Sequence, residues 1–163
     1  MPLTAEEFAQ VASFVGHAIW QIQVLEQTAA VHLVLVHKVD TKKARRDVET
    51  MFAKASKQTL GQLFRDIRDT GKGPSDLLSR LERFVNERNW LVHRSRHENR
   101  KELYSDERRP QLVTRINAVA DEALSLMTAF QEVTEAHLIA HGMDRAKMQA
   151  RTDEIYREWT TGV

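Results

Sequence analysis

Within Glu87-Arg88-Asn89-Trp90-Leu91-Val92-His93-Arg94 the chain places an arginine, an asparagine and a histidine inside six residues, at the end of a helix with an apolar repeat. A guanidinium can hold a phosphate through paired hydrogen bonds, and an imidazole can move a proton near neutral pH. Together they suggest chemistry on a phosphodiester. The chain has 16 arginines and seven histidines, so an arginine five residues before some histidine is expected roughly 0.7 times by chance; requiring Asn directly after Arg lowers this to about 0.02. Asn89 therefore carries much of the specificity.

Helix geometry constrains what these residues can do. Asn89 and His93 are four apart and share a face. Arg88 extends the apolar Leu81/Phe84/Val85 side. On an α-helix Arg88 and His93 diverge by roughly 140°, so one straight helix does not aim both at one phosphate. Either the helix ends or bends here, or a second copy faces the first across a two-fold axis and brings two Arg88 and two His93 into one cleft.

The elements that position the motif read as helices throughout. Thr4 and Glu7 form a capping-box pattern, followed by Phe8, Val11, Val15, Ile19, Ile22, Leu25, Ala29, Leu33 and Val36 at spacings of three and four, a long amphipathic helix. Asp40-Thr41-Lys42-Lys43 marks a turn. Val48, Met51, Phe52 and Ala55 form a short second helix, and Thr59 caps a third that carries Leu60, Leu63, Phe64 and Ile67. Gly71-Lys72-Gly73-Pro74 is the clearest breaker. Ser75 is expected to cap the motif helix. From Arg94 to Pro110 the chain is almost wholly polar and reads as a loop or frayed end. A long helix from Leu112 to Leu138 stops at Gly142, and a last one covers about 144–160. No segment alternates with period two. The expectation is a single all-α domain over 1–163, an up-and-down bundle of about five to six helices, with the last helix an accessory or dimerisation element.

Composition excludes several classes. The chain has 163 residues, 42% hydrophobic and 29% charged, with a formal net charge of +1. No global field draws it to nucleic acid or membrane, so any such contact depends on local clustering. With no cysteine, zinc ribbons, thiol catalysis and disulfides are excluded. The start is acidic and lacks a secretory n-region. The apolar run Val31–Val36 is short and interrupted by His32, too little for a membrane span. A soluble, cytoplasmic protein is expected.

Arg88-Asn89-Trp90-Leu91-Val92-His93 resembles the Arg-Asn-x-x-x-His signature of HEPN-domain proteins, all-α domains of toxin–antitoxin, abortive-infection and CRISPR-associated ribonucleases. Thr59-Leu60-Gly61-Gln62-Leu63 upstream also resembles bacterial members. The likeness covers residues 5–140 in architecture and is specific over the six-residue motif. It implies metal-independent cleavage of RNA at a homodimer interface, with no cofactor, and an antitoxin or other inhibitory protein as partner. His93 is implied as general acid or base, Arg88 as phosphate clamp, and Asn89 as a group orienting His93 or the ribose; Glu87 could tune His93. Some HEPN toxins carry a modifiable tyrosine two residues after the histidine, where this chain has Ser95.

The remaining polar groups sort by proximity. Arg94, Arg96, Arg100, Lys101, Arg108 and Arg109 follow the motif and could track an RNA backbone; Arg94, Arg96 and Lys101 are taken as RNA-binding, although Glu98, Glu102, Asp106 and Glu107 dilute the charge. Lys38, Lys42, Lys43, Arg45 and Arg46 read as an exposed basic turn. His93/His97 and His137/His141 have the i,i+4 spacing of two ligands on one helix turn, but no His-Glu-x-x-His or Glu-x-x-His occurs, so no metal site is expected. Trp20, Trp90 and Trp159 are expected in the core or an interface. The rival to a ribonuclease is a non-catalytic helical module that binds a nucleotide or protein, with Arg88 held in a structural salt bridge.

Overall fold

The computed structural model of the chain describes residues 3–38, 45–71 and 73–161. These residues are helical almost throughout, with no strand among them. The helices are α1 (Ala5–His32), α2 (Arg45–Ala55), α3 (Leu60–Asp69), α4 (Ser75–Asn89), α5 (Ser95–Glu98), α6 (Arg100–Leu103), α7 (Arg109–Ala140) and α8 (Arg145–Thr161). Two π-wound turns interrupt this order, Leu33–Lys38 after α1 and Trp90–Arg94 after α4.

α1 opens on the expected capping box: Glu7 N–H donates to Thr4 Oγ1 at 3.2 Å, and Thr4 N–H donates to Glu7 Oε2 at 2.8 Å. The bonds from Thr4, with help from Arg109, hold the Glu7 carboxyl below its ordinary range. Arg109, the first residue of α7, donates to Glu7 at 2.7 Å, to Asp106 at 2.7 Å and to the Leu103 carbonyl at 3.0 Å. At the other end His32 meets Thr134. Both contacts join residues 102 apart in sequence, so α1 and α7 run parallel along their length. α4 runs against α7, because Arg80 bonds Glu122 while Glu87 bonds Arg115. Up, down and up is the expected bundle order for these three.

The core lies along the α1/α7 seam, closed by α3 and α4. Ile22, Leu25, Leu33, Leu81, Ile116, Leu126 and Phe130 are almost fully buried. Burying such side chains stabilises by about 1.5–3 kcal/mol each before the entropy of ordering is charged against them. Ala5–Lys38 reaches a mean hydropathy of 1.2 and meets a length-and-composition test for a membrane-crossing helix, a test that core helices of soluble proteins also pass. In this fold 39% of the 18-residue stretch that reaches this value is buried inside the chain.

Several expectations change. Arg94–Pro110 is not a loop over its first half: the chain stays helical to Leu103, because Ser95 Oγ donates to the Leu91 carbonyl at 2.7 Å, Asn99 Nδ2 donates to the Ser95 carbonyl at 2.9 Å, and Leu103 is buried. Ser75 does not cap α4; Pro74 holds the cap position, and Ser75 is the first helical residue. Thr59 does hold the cap position of α3, where its N–H donates to Gln62 Oε1 at 2.8 Å. Trp20 is 72% exposed rather than packed within the chain. The turn at Asp40–Lys43 lies outside the described residues, as do the side chains of Arg45 and Trp159.

Candidate functional site

The motif helix does not run straight through the motif. Leu77, Leu81, Phe84, Arg88 and Leu91 fall on one α-helical stripe, which would drive Arg88 toward the core and leave Trp90 outside. Yet Trp90 and Leu91 are both buried at 2% exposure, Trp90 because α7 packs on that second face, and the π turn at Trp90–Arg94, which adds about one residue per turn, redirects the residues that follow. Arg115 of α7 lies over the Trp90 ring, 3.6 Å from its centroid. That occupied face weakens any case for Trp90 stacking a base. Arg115 also donates from Nε and Nη2 to both Glu87 carboxylate oxygens, at 3.1–3.2 Å, so Glu87 serves the α4/α7 contact.

Arg88 stays half-buried against α1. Its Nη2 donates to Glu26 Oε1 at 3.4 Å, and its Nη1 to Asn89 Oδ1 at 3.4 Å. Both bonds are long for charge-assisted contacts, which favour about 2.7–2.9 Å. Its Nε is buried with no hydrogen-bond partner among the described residues. Glu26 Oε1 also accepts from Leu60 N–H at 3.2 Å, at the first residue of α3, so one carboxylate ties α1, α3 and α4 together. Arg88 and Asn89 line a cleft of about 560 Å³ between α3 and α4, with Thr59, Gly61, Arg65, Arg68 and Asn86 among its walls.

His93 is exposed on the far side of the π turn. It lines a separate hollow of about 390 Å³ with Arg96, His97, Arg100 and Tyr104. π winding narrows the angle between Arg88 and His93 from about 140° to about 90°, yet no hydrogen bond joins them. The sequence-assigned residues thus divide. Arg88 and Asn89 share one cleft, His93 and Arg96 share another, Arg94 pairs with Glu98 at 3.4 Å, and Lys101 is exposed on α6.

Sequence reading missed a second polar constellation at the other π turn. His32 is buried at 1% exposure. Its Nδ1 lies 2.9 Å from Thr134 Oγ1, its Nε2 lies 3.2 Å from His37 Nε2, and His37 Nδ1 lies 3.0 Å from Thr70 Oγ1. Thr134 spends its hydroxyl proton on the Phe130 carbonyl, so the network assigns the proton of His32 to Nδ1. Burial, reinforced by His37 and His137, pushes the His32 pKa down to about 4. The visible signal was His32 and His37 at spacing five, which α-helical templates discard. His137 and His141 stack at 4.1 Å. No group of three or more His, Cys, Asp or Glu with metal-holding geometry occurs among the described residues.

Compared with known proteins, the chain matches no family model, no curated protein and no solved structure.

Proposed function

We propose that the chain is a HEPN-type endoribonuclease acting as a homodimer, a toxin or phage-defence effector held in check by a partner protein. The observation that carries this reading is the placement of Arg88 and His93 on opposite sides of the second π turn: an exposed imidazole, and a partly exposed guanidinium lining an open cleft. A site made by two chains needs each copy to present both groups outward rather than to each other. An apolar groove beside His93, edged by the exposed Phe8 and Val92, offers a second copy something to cover.

In this mechanism a base draws the proton from the ribose 2′-hydroxyl, whose oxygen attacks the adjacent phosphorus. The P–O5′ bond breaks, and an acid returns a proton to O5′. The products are a 2′,3′-cyclic phosphate and a 5′-hydroxyl. His93 supplies one of the proton transfers, and Arg88 holds the equatorial oxygens as charge builds on them. Asn89, whose carbonyl accepts from Arg88, positions that guanidinium.

A second reading has an observation of its own. The Arg88–Glu26 pair, 19% and 21% exposed, is the structural salt bridge that a non-catalytic binding module predicts. Purified protein incubated with RNA in EDTA separates the two. Cyclic-phosphate ends that disappear in Arg88→Ala and His93→Ala support the ribonuclease; cleavage that survives both substitutions removes these residues from the mechanism. Intact RNA throughout, with normal growth on overexpression, favours the binding module.

A further inference from the structure

Arg88 is one of three guanidiniums on the α3/α4 cleft. Gly61, Arg65 and Arg68 fall at i, i+4 and i+7 on α3, one face of the helix, and all three line the cleft. Arg65 is exposed and has no hydrogen bond or ion pair among the described residues. Arg68 lies over the Phe64 ring at 5.5 Å and pairs with Asp69 at 3.1 Å, on a side chain still 52% exposed. Glu82 is the carboxylate on the lining, and Glu26 and Asp69 pair with Arg88 and Arg68, which leaves Arg65 as the cleft guanidinium without an ion pair among the described residues. Between the charges lie the apolar Val85 and Phe64 and the amides of Asn86 and Asn89. The volume of about 560 Å³ falls within the range of about 300–1,000 Å³ of small-ligand sites. A hollow of nucleotide size, with Arg65, Arg68 and Phe64 on the α3 wall and Arg88, Val85 and two amides on the α4 wall, has the composition that holds one unit of a single strand.

We propose that this cleft binds the RNA strand next to the cut, with Arg65 and Arg68 on the backbone phosphates that precede or follow the one held by Arg88. The inference rests on the ribonuclease reading and adds to it. The strand is held by α3, rather than only by the basic segment after His93. Arg65 and Arg68 sit three apart, with Cβ atoms about 5–6 Å from each other, and their long side chains can reach successive phosphates. Their contact is to backbone, so the cleft tolerates any sequence at that position.

The test uses His93→Ala protein in EDTA, which binds without turnover, and a fluorescent single-stranded oligoribonucleotide read by anisotropy across a salt series. Adding Arg65→Ala and Arg68→Ala weakens binding by about tenfold or more at low salt and lowers the slope of log K against log salt by about 1.4, at about 0.7 per lost phosphate contact. Arg65→Ala alone touches no partner and lowers the slope by about 0.7 with an unchanged melting temperature. Lys147→Ala with Arg157→Ala, which removes two exposed charges from α8, leaves the slope unchanged. An unchanged affinity and slope in the Arg65/Arg68 variant overturns the proposal, as does a parent protein that does not bind the oligonucleotide. Displacement of RNA by a mononucleotide at equal concentration also overturns it, in favour of a free-nucleotide site. Salt-dependent binding through Arg65 and Arg68 by a wild type that cleaves nothing upholds the RNA contact and sinks the ribonuclease reading alone.

Discussion

The two π turns of this molecule sit in matching places, each at the C-terminal end of a long helix, and each separates two polar residues at spacing five: His32 and His37 in one, Arg88 and His93 in the other. In the first, π winding starts one residue after His32 and brings the pair to within about 70° of each other; the two Nε2 atoms lie 3.2 Å apart, with His32 against Thr134 of α7 and the half-buried His37 against Thr70 at the end of α3. In the second, winding starts two residues after Arg88, and Glu26 draws the guanidinium toward α1. The pair stays apart and both groups face openings. Extra winding alone does not make a site. Where it brings two side chains together inside the fold it produces a joint, and where it holds them apart beside open clefts it produces a surface that can meet a ligand or a second chain.

This contrast is open to experiment at several magnitudes. His93→Ala should lower cleavage by about 10²–10⁴-fold and leave the thermal midpoint in place, as expected for an exposed residue; a large drop in stability would erase the distinction. Equal mixing of Arg88→Ala and His93→Ala proteins should restore about a quarter of the wild-type rate, because half the dimers are mixed and each carries one intact pair across the axis. No recovery, with subunit exchange verified, would place both groups of a working pair in one chain. At the first turn the expected loss is of stability: His32→Ala opens a buried cavity and strands Thr134 and His37, costing about 2–4 kcal/mol in denaturant unfolding.

Acid should act on the same turn. The folded pKa of His32, about 4, lies below its ordinary 6.5, so the unfolded chain binds the proton more readily. Stability from this group is complete above about pH 6.5 and declines as pH falls toward 4, by up to about 3 kcal/mol. His32→Leu, of similar volume, should flatten that part of the profile; an unchanged profile would assign the acid sensitivity elsewhere. The smallest effect is expected at Arg115→Ala, which removes the guanidinium from the Trp90 ring and frees Glu87: about 1 kcal/mol, with cleavage reduced only as far as the second π turn loosens.

The helical pattern was legible in the sequence wherever apolar residues kept an α-helical period. Leu77, Leu81 and Phe84 marked α4, and Leu112 to Leu138 marked α7. The failures cluster where that period changes. Helicity from Ser95 to Leu103 depends on side-chain bonds from Ser95 and Asn99, residues that composition counts as loop-forming. The split between Arg88 and His93 could be posed from the sequence as a rotation angle, but the π turn answering it lies where Trp90 packs under Arg115, a contact between distant segments. Arg65 and Arg68 were readable as one face of α3. What could not be read was that α4 would stand opposite and turn that face into a cleft.

The parallel pairing of α1 with α7 has a consequence for how the chain is born. α1 has the apolar stripe of a core helix, and its partner lies 102 residues downstream. At about 5–20 residues per second, α1 leaves the ribosome some 5–20 seconds before the surface that will cover it exists. Antiparallel neighbours joined by a short turn escape that wait. Through it the most apolar segment of the protein stands open to other nascent chains, so the yield of folded molecules should depend on chaperone supply and synthesis temperature more than the finished core would suggest.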